Sequence, residues 1–273
     1  MRNFVVRKTF VMLPKVIAIS NQKGGVGKTT TAVNFSAGLS ARGYKVLLID
    51  TDHQASCTVA FGLKREFDNR SIYAALVGLS PIQDCIIPTG YRNLDLIPST
   101  PHLVGAEIEM VNFIDREYKL TEKLEPIKPL YDFIIIDCPP SLGIVPVNSL
   151  LAADSIIIPL QCEFFGIEGL ELILGTLKII QKRLKPSLYV EGILLTLHDA
   201  YNRVSTQILE LMRENFGDLV FDTYIPRDPA FIDATAVQVP VILSKSPSKG
   251  ADAYDRLILE FLEKYNLGKR KFN

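Results

Sequence analysis

The sequence predicts an α/β fold, a mostly parallel twisted sheet with helices on both faces. Short apolar runs alternate with longer amphipathic ones, the pattern of strands connected by covering helices. Several of the short runs are unbroken Val/Ile/Leu stretches, as strands covered on both faces require. In chain order the expected strands are 16–20 (VIAIS), 46–50 (VLLID), 94–98 (LDLIP), 133–137 (FIIID), 155–160 (SIIIPL), 191–197 (EGILLTL) and 223–226 (TYIP). The expected helices are 27–42, 102–124, 142–152, 167–184, 201–216 and 251–266. The last places Tyr254, Leu257, Ile258, Phe261, Leu262 and Tyr265 on one stripe, the spacing of a core-facing helix.

Composition narrows the possibilities. The chain has 273 residues, 48% of them apolar and 22% charged, the balance of an ordinary globular protein. Thirty basic residues offset thirty acidic ones, so bulk charge marks no nucleic-acid binder and only a local basic face is left for that role. Cys57, Cys85, Cys138 and Cys162 lack metal-site spacing and read as buried small side chains in a reducing cytoplasm. No apolar run approaches the ~20 residues that span a bilayer. Arg7 and Lys8 interrupt the apolar start, and no small-residue cleavage site comes after it. Residues 1–13 are therefore expected to be a loose extension, with Met12 as an alternative start. Neither an internal repeat nor a linker divides the remaining chain, so 14–266 is expected to be one domain and 267–273 a short basic tail.

Strand 16–20 leads into Asn21-Gln22-Lys23-Gly24-Gly25-Val26-Gly27-Lys28-Thr29-Thr30 and then a helix. This strand–loop–helix context is the one a phosphate-binding loop needs. Glycines let several backbone N–H groups converge on phosphate oxygens, and the helix N-terminus adds partial positive charge. Lys28 is expected to reach the β- and γ-phosphates and the Thr29 hydroxyl to ligate Mg²⁺, while Gly24, Gly25, Val26, Gly27 and Thr30 complete the cradle. ATP with Mg²⁺ is thus the predicted ligand and hydrolysis the predicted reaction. Gln22 stands where the general pattern has its first glycine, so the segment matches the deviant form K-G-G-x-G-K-[ST], with a second lysine at Lys23. The plainer reading is a glycine-rich turn with two surface lysines.

Asp50 and Asp52 end the run 46–50 at positions i and i+2, which sends both toward the carboxyl edge of the sheet, where nucleotides bind. Asp137 ends the apolar run 133–137, a Walker B pattern suited to holding Mg²⁺ through a water. Alone, such acids also read as solubilising strand ends.

These segments, NQKGGVGKTT, IDTDHQAS, YDFIIIDCPPSLG and the later SKGA, fall in an order that resembles the ParA/MinD group of deviant-Walker P-loop ATPases, from about residue 14 to 266. Asn-Gln before the lysine looks more like the ParA branch. The resemblance implies that Asp50 supports the Mg²⁺ shell and that Asp52 positions or deprotonates the attacking water. It also implies that Lys23 crosses a dimer interface to the partner's ATP, resembling an arginine finger and making ATP the glue of a homodimer. The segment 224–228 resembles the one that lies against adenine, which makes Pro226 and Asp228 candidates. A strand end with a proline turn explains the same letters. His53 stands where most relatives carry proline, and a turn residue of little consequence is favoured over a titratable group near the water.

Three functions share this engine. A ParA-type positioning ATPase binds DNA nonspecifically as its ATP dimer and is stimulated by a ParB-like partner. A MinD-type ATPase uses an amphipathic membrane helix after the last core helix, where this chain has only LGKRKFN. An iron-protein relative needs a glycine-flanked cluster cysteine, which none of the four provides. The first is the expected function, in the cytoplasm and on the nucleoid where DNA binding holds. Arg203 lies where relatives often carry a DNA-contacting arginine, and Lys245 and Lys249 are candidates for the same face. Relatives read I-P-R-x-x-R, whereas here Ala230 replaces the second arginine, with Phe231 and Ile232 next. That puts double-stranded DNA as partner in doubt and leaves room for a ParA-like positioner of another cargo.

Overall fold

The computed structural model describes residues 14–268 except Asp68 and Leu142, and of Phe164, Phe165, Ile167 and Glu168 only the backbone. The expected extension at 1–13 and most of the basic tail lie outside these residues. Among the described residues seven strands are formed: β1 (Lys15–Ile19), β2 (Val46–Asp50), β3 (Ile87–Pro88), β4 (Leu94–Ile97), β5 (Phe133–Asp137), β6 (Ser155–Gln161) and β7 (Tyr189–Thr196). They make one sheet in the order β3-β4-β2-β5-β1-β6-β7, parallel throughout except where β3 meets β4.

The helices are α1 (Lys28–Ala41), α2 (Ser56–Val59), α3 (Ile72–Val77), α4 (Leu103–Glu109), α5 (Lys119–Leu124), α6 (Ile144–Ala152), α7 (Phe164–Arg183), α8 (Arg203–Phe216), α9 (Ala230–Ala236) and α10 (Lys249–Glu263). Successive strand residues point to opposite faces. Val16, Ala18, Leu47, Ile49, Ile134 and Ile136 join the core under α3 to α8. Ile17, Ile19, Val46, Leu48, Phe133 and Ile135 join the core under α1 and α10. Both faces are covered, which is why β2 and β5 are apolar at every position before their terminal acids and β1 is apolar after Lys15. A Cβ on Gly38 of α1 would run into the side-chain ends of Ile258 on α10 and of Ile242, so a larger residue there would have to push both aside. Helix α10 begins two residues before the expected start, because Ser248 caps it by accepting the Ala251 N–H at 3.0 Å.

Two sequence expectations are corrected. The single helix expected over 102–124 is two, α4 and α5, separated by 3₁₀ turns and by Asp115 at φ 52°. The buried amide of Asn148 in α6 holds that break: its oxygen accepts the Leu120 N–H at 2.9 Å and its nitrogen donates to the Arg116 carbonyl at 2.8 Å. The strand expected at 223–226 is reduced to one bridge between Pro226 and His198, and the Thr223 N–H is taken by Glu260 Oε2 at 2.9 Å. The seventh strand is instead β3, a two-residue edge ending in proline.

At the amino edge of the sheet a buried charged cluster joins β1, β7 and α10. Glu191 Oε2 accepts from Lys15 Nζ at 2.5 Å, and its Oε1 accepts from Lys264 Nζ and from the Tyr265 hydroxyl, each at 2.5 Å. The phosphate loop and both strand-end acids lie at the other edge. All four cysteines are buried and free. Among the described residues no helix is long and apolar enough to cross a membrane.

Candidate active site

Between β1 and α1 the chain turns through Gly25 at φ 74° and Gly27 at φ 85°, conformations that favour glycine. Gly27 caps α1 without a side-chain acceptor, and the first turn carries no acid. Its orphan amides and positive helix end therefore stay available to an anion. Lys28, Thr29, Thr30, Gly24, Gly25 and Gly27 line a cavity of about 460 Å³, together with Asp52 and Pro140. Val26 is buried in the core beneath.

The loop is anchored from three sides. The buried Asn21 amide donates to the Pro159 carbonyl of β6 at 2.8 Å and accepts the Lys23 N–H at 3.0 Å. Gln22 donates to Thr176 on α7 at 2.8 Å. Thr196, at the end of β7, donates its hydroxyl to the Val26 carbonyl at 2.9 Å. Lys28 Nζ bonds the Lys23 carbonyl at 2.9 Å. Burial lowers its pKa, opposed by the nearby Asp137 carboxylate. The Lys23 side chain rests against Gly169 of α7, where an added Cβ would meet Lys23 Cβ at 3.6 Å.

Asp50 and Asp137 occupy one rung at the ends of β2 and β5, both fully buried. Their surroundings differ. Asp50 Oδ1 accepts the Asp52 N–H at 3.1 Å, and its Oδ2 accepts both the N–H of Thr58 at 2.8 Å and the Thr58 hydroxyl at 2.7 Å. Both oxygens of Asp137 are buried and unpartnered among the described residues. Burial pushes the Asp50 pKa up to about 6 against the pull of the Thr58 donors. Burial, with Asp50 close by, also raises the Asp137 pKa, while the Thr29 hydroxyl favours its charged form. An orphaned buried carboxylate beside a loop hydroxyl suits a divalent cation. Thr29 and Asp137 thus fit Mg²⁺, whereas the oxygens of Asp50 are already engaged by protein donors, and its expected metal role narrows to support from behind.

Asp52 is mostly buried at the cavity wall; its Oδ1 accepts the Gln54 N–H at 2.9 Å and lies 3.6 Å from His53 Nδ1. His53 is therefore beside the acid as well as in the turn.

Of the segment expected to lie against adenine, Ile225 lines the cavity and Pro226 forms the bridge to His198. Asp228 ties two helices together, accepting the Ala230 N–H at 2.9 Å and the Gly250 N–H at 2.8 Å. Phe231 turns inward, lines the cavity and meets the Tyr254 ring edge-on at 5.9 Å, while Ile232 is 74% exposed. Arg203, Lys245 and Lys249 are all exposed, and Arg203 and Lys249 open α8 and α10.

A model of an AAA domain family matches residues 14–190. The chain is 45% identical over 240 residues to the sporulation initiation inhibitor protein Soj of Bacillus subtilis, covering 88% of this chain and 95% of that one. It is 42% identical over 250 residues to the chromosome partitioning protein ParA of Myxococcus xanthus, covering 92% and 88%. The chain belongs to the ParA/Soj family of partitioning ATPases. The crystal structure of cobyrinic acid a,c-diamide synthase from Mycobacterium smegmatis, with bound ATP analogue and magnesium, superposes on this ParA-family chain with a TM-score of 0.79. That pair is 33% identical and aligned over 95% of this chain and 99% of the other.

Thr196 and Thr58 of the ParA-family site were not singled out from sequence, and Asn21 was read only as a marker of the ParA branch. Thr196 carried a signal, since it is a polar residue closing an apolar strand at the same edge as Asp50 and Asp137. The anchoring role of Asn21 had none, because its partner Pro159 is 138 positions away.

Proposed function

We propose that this chain is the ATPase motor of a chromosome or plasmid partition system. It dimerises with ATP and Mg²⁺ bound, holds DNA nonspecifically in that state and is discharged by a ParB-like partner. The observation that carries the reading is the company of Lys23. A second lysine opens the phosphate loop, and its backbone is fixed by Asn21 and Lys28 while Asp52 stands on the wall of the same cavity. The identity to Soj and ParA supports the partition role.

In this reading the amides of 24–28 and the α1 terminus bind the phosphates, and Lys28 neutralises them. Thr29 and Asp137 would hold Mg²⁺, which would supply charge neutralisation to the phosphates. Asp52 accepts a hydrogen bond from the attacking water and orients it in line. Lys23 brings positive charge to the partner subunit's transferring phosphoryl group. One protomer alone lacks that charge, so intrinsic turnover is slow. The ATP dimer presents Arg203, Lys245 and Lys249 to DNA phosphates. The working unit is residues 14–266, in the cytoplasm and on the nucleoid.

Binding to nonspecific duplex DNA and to anionic liposomes, each with ATP and with ADP, tests it. Salt-sensitive DNA binding with ATP alone is expected. Liposome binding in place of DNA would point to a MinD-like role, and binding to neither would make the cargo a protein.

A further inference from the structure

We infer that Thr58 is a positioning residue for hydrolysis, acting through Asp50 on the loop that carries Asp52. The inference rests on the reading of Asp52 as the residue that orients water.

The loop from Asp50 to Thr58 is closed at both ends by one carboxylate. Asp50 Oδ1 holds the Asp52 N–H, and Asp50 Oδ2 holds the N–H and hydroxyl of Thr58. Thr58 uses its hydroxyl twice, donating to Asp50 and accepting the Ser99 N–H at 3.0 Å just past β4. The hydroxyl therefore ties the carboxylate to the backbone that follows β4. Within the loop, Asp52 caps its own turn through Gln54 N–H and accepts the Ala55 N–H on its carbonyl at 2.8 Å. Ala55 is fully buried at φ 52°, a left-handed conformation that a residue with a Cβ adopts under strain. Such a turn persists only when its surroundings hold it, and the Asp50–Thr58 clamp spans it.

Thr58 does not reach the cavity, and α2, which it helps to form, has only four residues. Its hydroxyl thus acts on the reaction by holding Asp50, which in turn holds the backbone of Asp52. Misplacing a reacting group by about 1 Å costs on the order of 100-fold in rate, so loss of the clamp falls on turnover rather than on binding.

The test compares Thr58→Ser, which keeps the hydroxyl, with Thr58→Ala and Thr58→Val, which remove it, and with Asp52→Ala. Turnover, KM, affinity for a non-hydrolysable ATP analogue with Mg²⁺, and amide hydrogen exchange at Gln54 and Ala55 are measured on the full chain. Thr58→Ala and Thr58→Val should lose roughly ten-fold or more in kcat, with KM and analogue affinity within about three-fold, and exchange at 54 and 55 should quicken. Thr58→Ser should restore both readouts. Thr58→Ala keeps the backbone bond to Asp50 and places no new bulk, so it carries the test if the valine variant does not fold. Wild-type kcat in Thr58→Ala, or a loss matched by weaker analogue binding with exchange unchanged, overturns the inference. If Asp52→Ala abolishes turnover while Thr58→Ala does not, only the inference fails. If Asp52→Ala turns over normally, the reading of Asp52 fails and takes the inference with it.

Discussion

Asp50 and Asp137 are neighbours across the β2–β5 ladder, yet among the described residues Asp50 is bonded at both oxygens and Asp137 at neither. Burial raises both pKa values, so the unpartnered acid weighs on the fold when no cation offsets it. Asp137→Asn should therefore unfold no earlier than wild type without nucleotide. With ADP and Mg²⁺ it should lose most of the stabilisation, about 2.7 kcal/mol at a ligand concentration of 100 Kd, that wild type gains. Thermal unfolding with EDTA and with Mg²⁺ separates the two effects; an early-melting variant that still responds to Mg²⁺ would show Asp137 to be structural.

The two lysines of the loop should fail differently. Lys28 is buried, its ammonium spans the loop to the Lys23 carbonyl, and it faces the cavity. Removing a hydrogen bond to a charged group costs about 1.5–3 kcal/mol, so Lys28→Ala should weaken ATP binding by roughly 10- to 100-fold. Lys23→Ala should bind ATP nearly as wild type does but lose ATP-driven dimerisation and turnover. Size exclusion and nucleotide titration on both variants check the contrast, and an unchanged dimer in Lys23→Ala would remove its cross-subunit role.

Thr196 is the only described side chain that bonds the Val26 carbonyl, and that carbonyl is buried behind the loop. Thr196→Val keeps the shape and removes the donor, leaving a buried acceptor unsatisfied at a cost of about 1–3 kcal/mol. The expected result is a lower melting temperature together with weaker nucleotide binding, both largely restored in Thr196→Ser. Normal affinity in the valine variant would mean that the loop holds its form without β7.

Features decided by neighbouring residues were legible in the sequence. The glycines at 25 and 27, the amphipathic stripe of α10 and the acids ending β2 and β5 are each set by spacing within a few positions. Features that depend on distant partners were hidden. Thr196 meets Val26 across 170 positions. The break between α4 and α5 is held by Asn148, 28 residues beyond Leu120. Asp228 carries the letters of a ligand contact, and its bond to the Gly250 amide, 22 residues on, could not be read from them. Phe231 replaces no lost surface charge because it turns inward onto Tyr254, and Ile232 alone of the pair faces out.

The acid side of the stability profile should belong to Glu191. Burial by itself would raise its pKa, but Lys15 and Lys264 outweigh burial and bring it down to about 2, from an ordinary value of 4.5. The folded state thus favours the ionised form more than the unfolded chain does. That contribution is complete above about pH 4.5 and is lost as pH falls through about 2. In Glu191→Gln the Lys15 ammonium, 3% exposed, keeps its place without a counter-charge. Removing one partner of a buried pair costs about 3–5 kcal/mol, so the variant should be less stable by about that amount at neutral pH. At pH 3 the gap should narrow, because wild type has by then lost part of what Glu191 contributes. Urea unfolding of both proteins at pH 7 and pH 3 measures it, and a gap that stays constant would show that the pairing of Glu191 with its lysines is not what separates the two.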